Sequence, residues 1–468
     1  MQWFAGVVVA GAFAVTGIGN AVGQGETSDR KRPKEGTPLG LADLGWPLGT
    51  KSLRATTETA VKRVPTRGER YGKLAEGTRV AWKQIVASRD ACRAYLEIEP
   101  RGWVCAKDLE PSELAAAPIP RVIPEKIVER ALAKSFTAVD PKGARAFDTV
   151  GDIRRGERGK RLVGSTILRW TGNTVTVGGA LFARTVHGYV AADLVLAQPT
   201  SRFEGVDLTK PGVTWPFAWV VPRKTAKQLD RVSVRAAPSE PASQVREIER
   251  RLIVPVLETR NGFGRIGSDE WVALADLRIA KSSNRPEGVR PDERWLDVDL
   301  DQQVLVAYDG DRPVFATLVS TGKGKSTPTS MHRIRKKLAT TRIKSPPIAL
   351  GTWDFKDVPF SMEFRRYYAI HSAYWHDGFG DNRSHGCVNV SPRDGRFLFE
   401  WTYPQVPMGW LQGDARSEEG TPIRLRNAKV PNPPWTEYDA DPPVPTKLTE
   451  GIPLDGETPA APPVEPAE

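Results

Sequence analysis

The chain is poor in the residues that carry chemistry on their own: its 468 residues include only three cysteines and five histidines. No CxxC or HExxH spacing occurs, which removes the common structural and catalytic zinc patterns. No Lys or Arg precedes the first apolar run, which extends from Trp3 to about Val15 and is too short for a comfortable membrane span. No cysteine lies near that run, so an amino-terminal lipid anchor is not expected. Gly324-Lys325-Ser326 imitates the end of a phosphate loop, but Val319 stands where the loop's first glycine is required.

What is present points to the cell envelope. The apolar start is followed by Ala21-Val22-Gly23, the small-x-small form of a leader-peptidase site, so residues 1–23 read as a signal peptide or an uncleaved anchor. The chain is therefore expected to be exported to the periplasm or cell envelope, with membrane contact only through an uncleaved leader. The net charge is +11, although residues 433–468 hold eight acids and one lysine, so the rest of the chain carries +18. Such a surface attracts polyanions. In an exported protein that favours an anionic cell-wall polymer, and no nucleic-acid partner is expected. Cys92 and Cys105, thirteen residues apart, are placed to form a disulfide worth about 3 kcal/mol in an oxidising compartment. Cys387 is then the odd thiol.

Length alone predicts several domains. Residues 24–60 lack periodicity and read as a linker. Three similar β-rich segments follow, at 61–112, 149–200 and 229–282. Each has a basic opening that leads to Leu74, Leu162 or Leu252, and each closes on an aromatic-Val pair followed by Asp-Leu, with the aromatics Trp103, Tyr189 and Trp271 spaced by 86 and 82 residues. They resemble bacterial SH3-like domains, which implies small β-barrels, although the third copy lacks the RGER opening of the other two. The linker at 113–148 contains a candidate helix, IPEKIVERALAKSF, with apolar positions Ile127, Ala131 and Leu132. From Asp292 two alternating runs flank Asp309-Gly310-Asp311 and predict a β-hairpin. Residues 429–468, rich in proline and acid, read as a disordered tail.

Three of the five histidines and the odd cysteine fall within seventeen residues, 371–387. A thiol is a strong nucleophile only as thiolate, and a nearby imidazole is the usual means of producing one. His371 ends a predicted strand, and the glycine-bearing loop after it can fold back to bring Cys387 within reach. Ser384-His385-Gly386-Cys387 supplies consecutive backbone amides, the material of an oxyanion hole. Ser391-Pro392-Arg393-Asp394 predicts a helix start, with Phe397, Leu398 and Trp401 as its apolar face.

His371 followed by Ser384-His385-Gly386-Cys387-Val388-Asn389 resembles the signature of the L,D-transpeptidase, or YkuD-type, catalytic domain, with the likeness extending over 292–428 through the opening hairpin, VSTGKGKSTPTS and GTPIRL. The resemblance implies a mainly β protein, with a YkuD-type β-sandwich preceded by SH3-like barrels, and no cofactor or metal. It implies Cys387 as nucleophile, His371 as base and the Ser372 carbonyl as the group that orients it. The amides of His385, Gly386 and Cys387 would hold the oxyanion, with Ser384, His385 and Asn389 shaping the loop, while Trp375 and His376 would line the substrate groove. The implied partner is peptidoglycan, through its tetrapeptide stems. A metal site built from His371, His376, His385 and Cys387 is the first rival. NlpC-type peptidases are excluded, since they need a histidine after the cysteine and none follows Cys387. A nonenzymatic wall-binding protein is a further alternative.

Overall fold

The computed structural model describes residues 33–66, 68–118, 132–136, 145–162, 165–168, 170–185, 188–198, 201–223, 230–344 and 353–438. The expected leader at 1–23, His187 and most of the candidate helix lie outside these residues. Among the described residues no helix is long and apolar enough to cross a membrane.

The architecture is mainly β, and two sheets pack over one core. One has six strands, in the order 206–207, 312–318, 304–309, 294–299, 422–426 and 330–333. The predicted hairpin is there: strands Val304–Asp309 and Arg312–Leu318 pair antiparallel with Asp309 opposite Arg312, and Gly310 takes φ +61° in the two-residue turn. The other sheet has fourteen strands. Its central part comprises strands 410–414, 336–344, 353–365, 368–372 and 388–390. Alternating apolar residues from both sheets, among them Leu296, Leu305, Phe315, Phe360, Met362, Phe364, Ile370 and Val388, form one core between the layers.

The helix Pro392–Trp401 closes this core. Ser391 caps it by accepting from the Asp394 amide at 3.1 Å, with Pro392 in the first turn. At its other end the buried Lys337 donates from Nζ to the carbonyls of Phe399 and Thr402, placing a cation at the negative end of the helix. Leu398 and Phe399 are the apolar residues it buries. Phe397, expected to face inward, lies on the outer side against Phe315 and Trp401. Helical spacing selects a face but not its centre, and the chain shifted that face by one residue.

The three repeats share a local plan. Each closes with a strand, a 3₁₀ turn and a second strand: 103–105, 106–108 and 109–112 in the first, 188–191, 192–194 and 195–198 in the second, 270–273, 274–276 and 277–280 in the third. In the first unit Cys92 and Cys105 are joined by a disulfide.

Three boundaries differ from expectation. The described part of the 24–60 linker belongs to the first unit, because Leu53 and Ala55 are fully buried and strand Ser52–Ala55 pairs with 109–112 and 79–80. Residues Leu132–Phe136 are a strand rather than the end of a helix, held between 165–168 and 195–198. Ladder bonds on both sides outweigh local periodicity there. The tail does not begin at 429. The Met331 amide donates to the Pro434 carbonyl at 2.9 Å, the Thr436 amide returns to the Met331 carbonyl at 2.8 Å, and the Arg366 amide donates to the Tyr438 carbonyl at 3.0 Å.

The first unit is joined to the sandwich through its backbone. Strand Arg70–Leu74 pairs antiparallel with Trp410–Asp414, and Gly72 lies so close to Gln412 and the Trp410 ring that an added Cβ would sit 2.4–2.5 Å from both. Gly72→Val is accordingly expected to lower unfolding free energy by about 2 kcal/mol through overpacking at this seam, measured by urea denaturation. An unchanged midpoint would show that the seam is not a cooperative part of the fold.

Candidate active site

Strands Tyr368–Ser372 and Val388–Val390 lie side by side and parallel, with Ile370 opposite Val388 and His371 opposite Asn389. Side chains alternate along a strand, so Ile370, Ser372, Val388 and Val390 share the face turned to the helix. His371 and Asn389 share the other face. Cys387, two residues before Asn389, leads into that face from the neighbouring strand. The Ser372 hydroxyl shows which way its own face points: a Cβ on Gly395 of the helix would sit 2.0 Å from it.

His371 is buried, and its Nδ1 lies 3.4 Å from the Ser372 carbonyl. A carbonyl only accepts, so Nδ1 carries the proton and Nε2 keeps the lone pair. Burial pulls the imidazole down to about 4, offset in part by that carbonyl. Cys387 is unpaired and half-buried. Its Sγ stands 3.7 Å from the Tyr367 carbonyl oxygen, a second acceptor-only group. Burial pushes the thiol up to about 11, eased by the Ala369 amide and raised further by the Glu363 charge. Both groups are therefore neutral near pH 7.

The turn before Cys387 is held from two sides. Ser384 Oγ accepts from the Gly386 amide at 3.0 Å and donates to the Cys387 carbonyl at 2.5 Å. Across the turn, Thr327 Oγ1 donates to the Gly386 carbonyl at 2.7 Å, and the Lys323 amide donates to the Ser384 carbonyl at 2.9 Å. Gly386 adopts φ +143°, and a Cβ there would lie 2.7 Å from the Tyr368 ring, so this approach requires glycine. One expectation is revised: the Gly386 amide is committed to Ser384 rather than aimed at an oxyanion, because a hydroxyl two residues back is its nearest acceptor.

Asn389 and His376 meet, their side-chain nitrogens Nδ2 and Nε2 lying 3.0 Å apart as placed. His376 Nδ1 accepts from the Gly378 amide at 3.2 Å, so the proton of the neutral ring is on Nε2, and the Asn389 carboxamide must present its oxygen there. Burial holds the His376 ring down to about 3, with Arg383 acting in the same direction. His376 is thus part of the support for the strand after Cys387. Trp375 lies 5.7 Å from the His371 ring, centroid to centroid, and stacks on Phe355 at 4.3 Å. His385 is exposed, and partial desolvation, with the Lys323 charge beside it, lowers its pKa. His332 is buried elsewhere, between the Ser330 hydroxyl and the Thr436 carbonyl.

Among the described residues no group of three or more His, Cys, Asp or Glu side chains is placed to hold a metal ion. A cleft of about 460 Å³ lies elsewhere, lined by Leu257, Ile279, Lys281, Asp299 and Arg426 among others, and includes none of the residues above. Sequence reasoning missed Tyr367, Thr327 and the arginines 250, 251 and 278 described below. Thr327 lies inside the quoted STGKGKSTPTS stretch, whereas nothing in the sequence separates those arginines from the other basic residues.

Residues 293–425 match the family model YkuD, the L,D-transpeptidase catalytic domain, so this chain carries a domain of that family. No curated protein matches the chain. Among solved structures it is similar to a mutant L,D-transpeptidase from Enterococcus faecium, at 18% identity over 32% of this chain and 55% of that one, TM-score 0.24. It is similar to the catalytic domain of the E. faecium L,D-transpeptidase at 20% identity over 29% and 98% of the two chains, TM-score 0.23. An L,D-transpeptidase from Mycobacterium smegmatis matches at 18% identity over 37% and 82%, TM-score 0.23. The chain spans about half the length of the first of these.

The paired neutral groups predict a pH profile. With Cys92 and Cys105 joined, Cys387 is the single free thiol, and its alkylation by iodoacetamide is expected to be still accelerating above about pH 9.5. His371→Ala is expected to change that profile little, since no thiolate–imidazolium pair exists at rest. A plateau at or below neutral pH, abolished by His371→Ala, would show that the pair is charged instead.

Proposed function

We propose, with the YkuD domain at residues 293–425 as premise, that the protein is a peptidoglycan L,D-transpeptidase working through a cysteine thioester. The observation that supports this most is the parallel pairing of 368–372 with 388–390, which sets His371 opposite Asn389, two residues after Cys387.

Cys387 is the nucleophile and His371 the base, oriented by the Ser372 carbonyl. Burial raises the thiol and lowers the imidazole, so forming the ion pair before attack is disfavoured. The proton therefore leaves sulfur for His371 Nε2 as the S–C bond forms, rather than beforehand. The carbonyl attacked joins the third residue of a tetrapeptide stem, at the L-centre of meso-diaminopimelate, to the terminal D-Ala. The Cys387 amide, with that of His385, faces the developing oxyanion. Collapse of the adduct breaks the C–N bond, and D-Ala leaves as an amine carrying the proton held by His371. An amine of a second stem then attacks the thioester, forming a 3→3 cross-link and restoring the thiol.

Water in place of that amine would make the enzyme an L,D-carboxypeptidase on the same stems. A nonenzymatic wall-binding role is the third reading. The three β units are read as SH3-like modules that hold or orient the wall, their basic surface suited to an anionic polymer, in a chain exported to the envelope.

Cys387→Ala is expected to fold normally and to abolish D-Ala release from a tetrapeptide stem, followed by mass spectrometry of defined muropeptides. A dimeric product marks the transpeptidase and a tripeptide alone marks the carboxypeptidase. A carbapenem should add its mass to the wild-type protein and not to the variant. Wild-type turnover in Cys387→Ala would overturn the assignment.

A further inference from the structure

The segment between the two site strands, residues 373–387, makes a crossover without a helix. One side of it is held within the catalytic domain: Ser320 Oγ donates to the Gly378 carbonyl at 2.9 Å, the Gly380 amide donates to the Val319 carbonyl at 2.9 Å, and Asn382 Nδ2 reaches Thr321 Oγ1 at 3.0 Å. The other side is held by the third β unit. Arg251 Nη2 donates to both the backbone carbonyl and the carboxylate of Asp377, each at 2.6 Å, and Arg250 reaches the same carbonyl at 3.4 Å. Arg278 Nε donates to the Gly380 carbonyl at 2.7 Å, with its Nη2 3.6 Å from Asp381. Val221 fills the space beside Gly380, where an added Cβ would meet it at 2.9 Å. The Ser201 hydroxyl completes the grip on Asp377.

This contact differs from ordinary packing between units in two ways. Arg251 is held at φ +70°, a conformation that costs a non-glycine residue on the order of 1 kcal/mol and directs its side chain toward Asp377. Arg278 is largely desolvated, which lowers its pKa, with Asp381 and Asp276 opposing that loss. Two arginines bonded to backbone carbonyls fix the course of the chain itself, not only the side chains along it.

We propose that Arg251 and Arg278 of the third β unit are positioning residues for the acyl transfer, holding the 377–381 turn so that Trp375, His376 and, through Asn389, the strand after Cys387 stay in register with His371. The proposal rests on the reading of function above. The third unit is then a working part of the active site rather than only a wall-binding appendage.

The test uses the full chain with Arg251→Ala, Arg278→Ala and, as a control, Gln302→Ala. Gln302 joins the same unit to the sandwich, its side chain accepting from the Ile279 amide at 2.8 Å rather than from the 377–381 turn. Each arginine variant is expected to lower kcat for D-Ala release by about 10²-fold with KM within about threefold, because misplacement of reacting groups affects turnover more than binding. Their Cys387 alkylation profiles should move toward the ordinary thiol range as water enters the loosened turn. Gln302→Ala should match wild type in both. Folded arginine variants with wild-type kcat and alkylation profile would overturn the proposal, as would an equal loss in Gln302→Ala. If Arg278→Ala does not fold, Arg251→Ala decides the outcome. Absence of D-Ala release by the wild type would defeat the reading of function, and the alkylation profiles would still decide whether the arginines position the thiol.

Discussion

The site depends on one backbone constraint: two short strands, 368–372 and 388–390, must run parallel at a fixed register. A slip of one residue would turn either the imidazole or the thiol into the core. Parallel neighbours need a crossover of a dozen or more residues, normally stiffened by a helix. Here the helix comes afterwards, at 392–401, and the crossover is a loop containing Gly378, Gly380 and Gly386. Its order has to be supplied by what surrounds it, and the hydrogen bonds from 319–327 on one side and from the third unit on the other supply it.

The same burial that fixes the register sets the chemistry. Acceptor-only carbonyls, Ser372 for the ring and Tyr367 for the sulfur, define where each proton rests. Burial keeps both groups neutral, the ring by lowering its pKa and the thiol by raising it. Tyr367 is held at φ +68° in the tight turn that presents its carbonyl to Cys387, so the strain falls on a residue touching the free thiol.

Much of this was legible in the sequence. The hairpin around Gly310 follows from alternation and a turn signal, the cap at Ser391 from its Pro and Asp companions, and the strand that carries His371 from the YYAIHSA stretch. The repeat was visible in its closing aromatic-Val and Asp-Leu residues, which became strand, 3₁₀ turn and strand each time. What stayed hidden was long-range pairing. Leu132–Phe136 reads locally as helix, yet strands on both sides claim its backbone. Residues 52–55 have no periodicity of their own and become a strand because 109–112 offers a partner. Trp435 lies in a proline-rich run that reads as tail, yet its Nε1 donates to the Glu287 carbonyl at 3.1 Å and its ring stacks on Arg333. Arg251 and Arg278 were two basic residues among many, because a hydrogen bond to a carbonyl 102 or 126 residues away leaves no local mark.

The accessory units do for the sheet of the 293–425 domain what a barrel does by closing. An open sheet exposes unpaired amides and carbonyls at its edges, which invite pairing with other chains. On one side strand 70–74 of the first unit covers 410–414, and on the other strand 165–168 of the second unit joins 353–355 in parallel. The fourteen-stranded sheet is the outcome, with strands 410–414, 336–344 and 353–365 in its middle, accessory strands at both ends, and the pair 368–372 and 388–390 branching from 353–365. The first unit also shares the apolar core: Leu53, Leu74 and Leu96 belong to the same cluster as Phe360, Met362 and Leu398. Two mechanical roles are thus divided among three similar units. The first two extend the sheet and cover edges of its central strands, and the third grips the crossover through side chains, where that segment has no regular structure of its own.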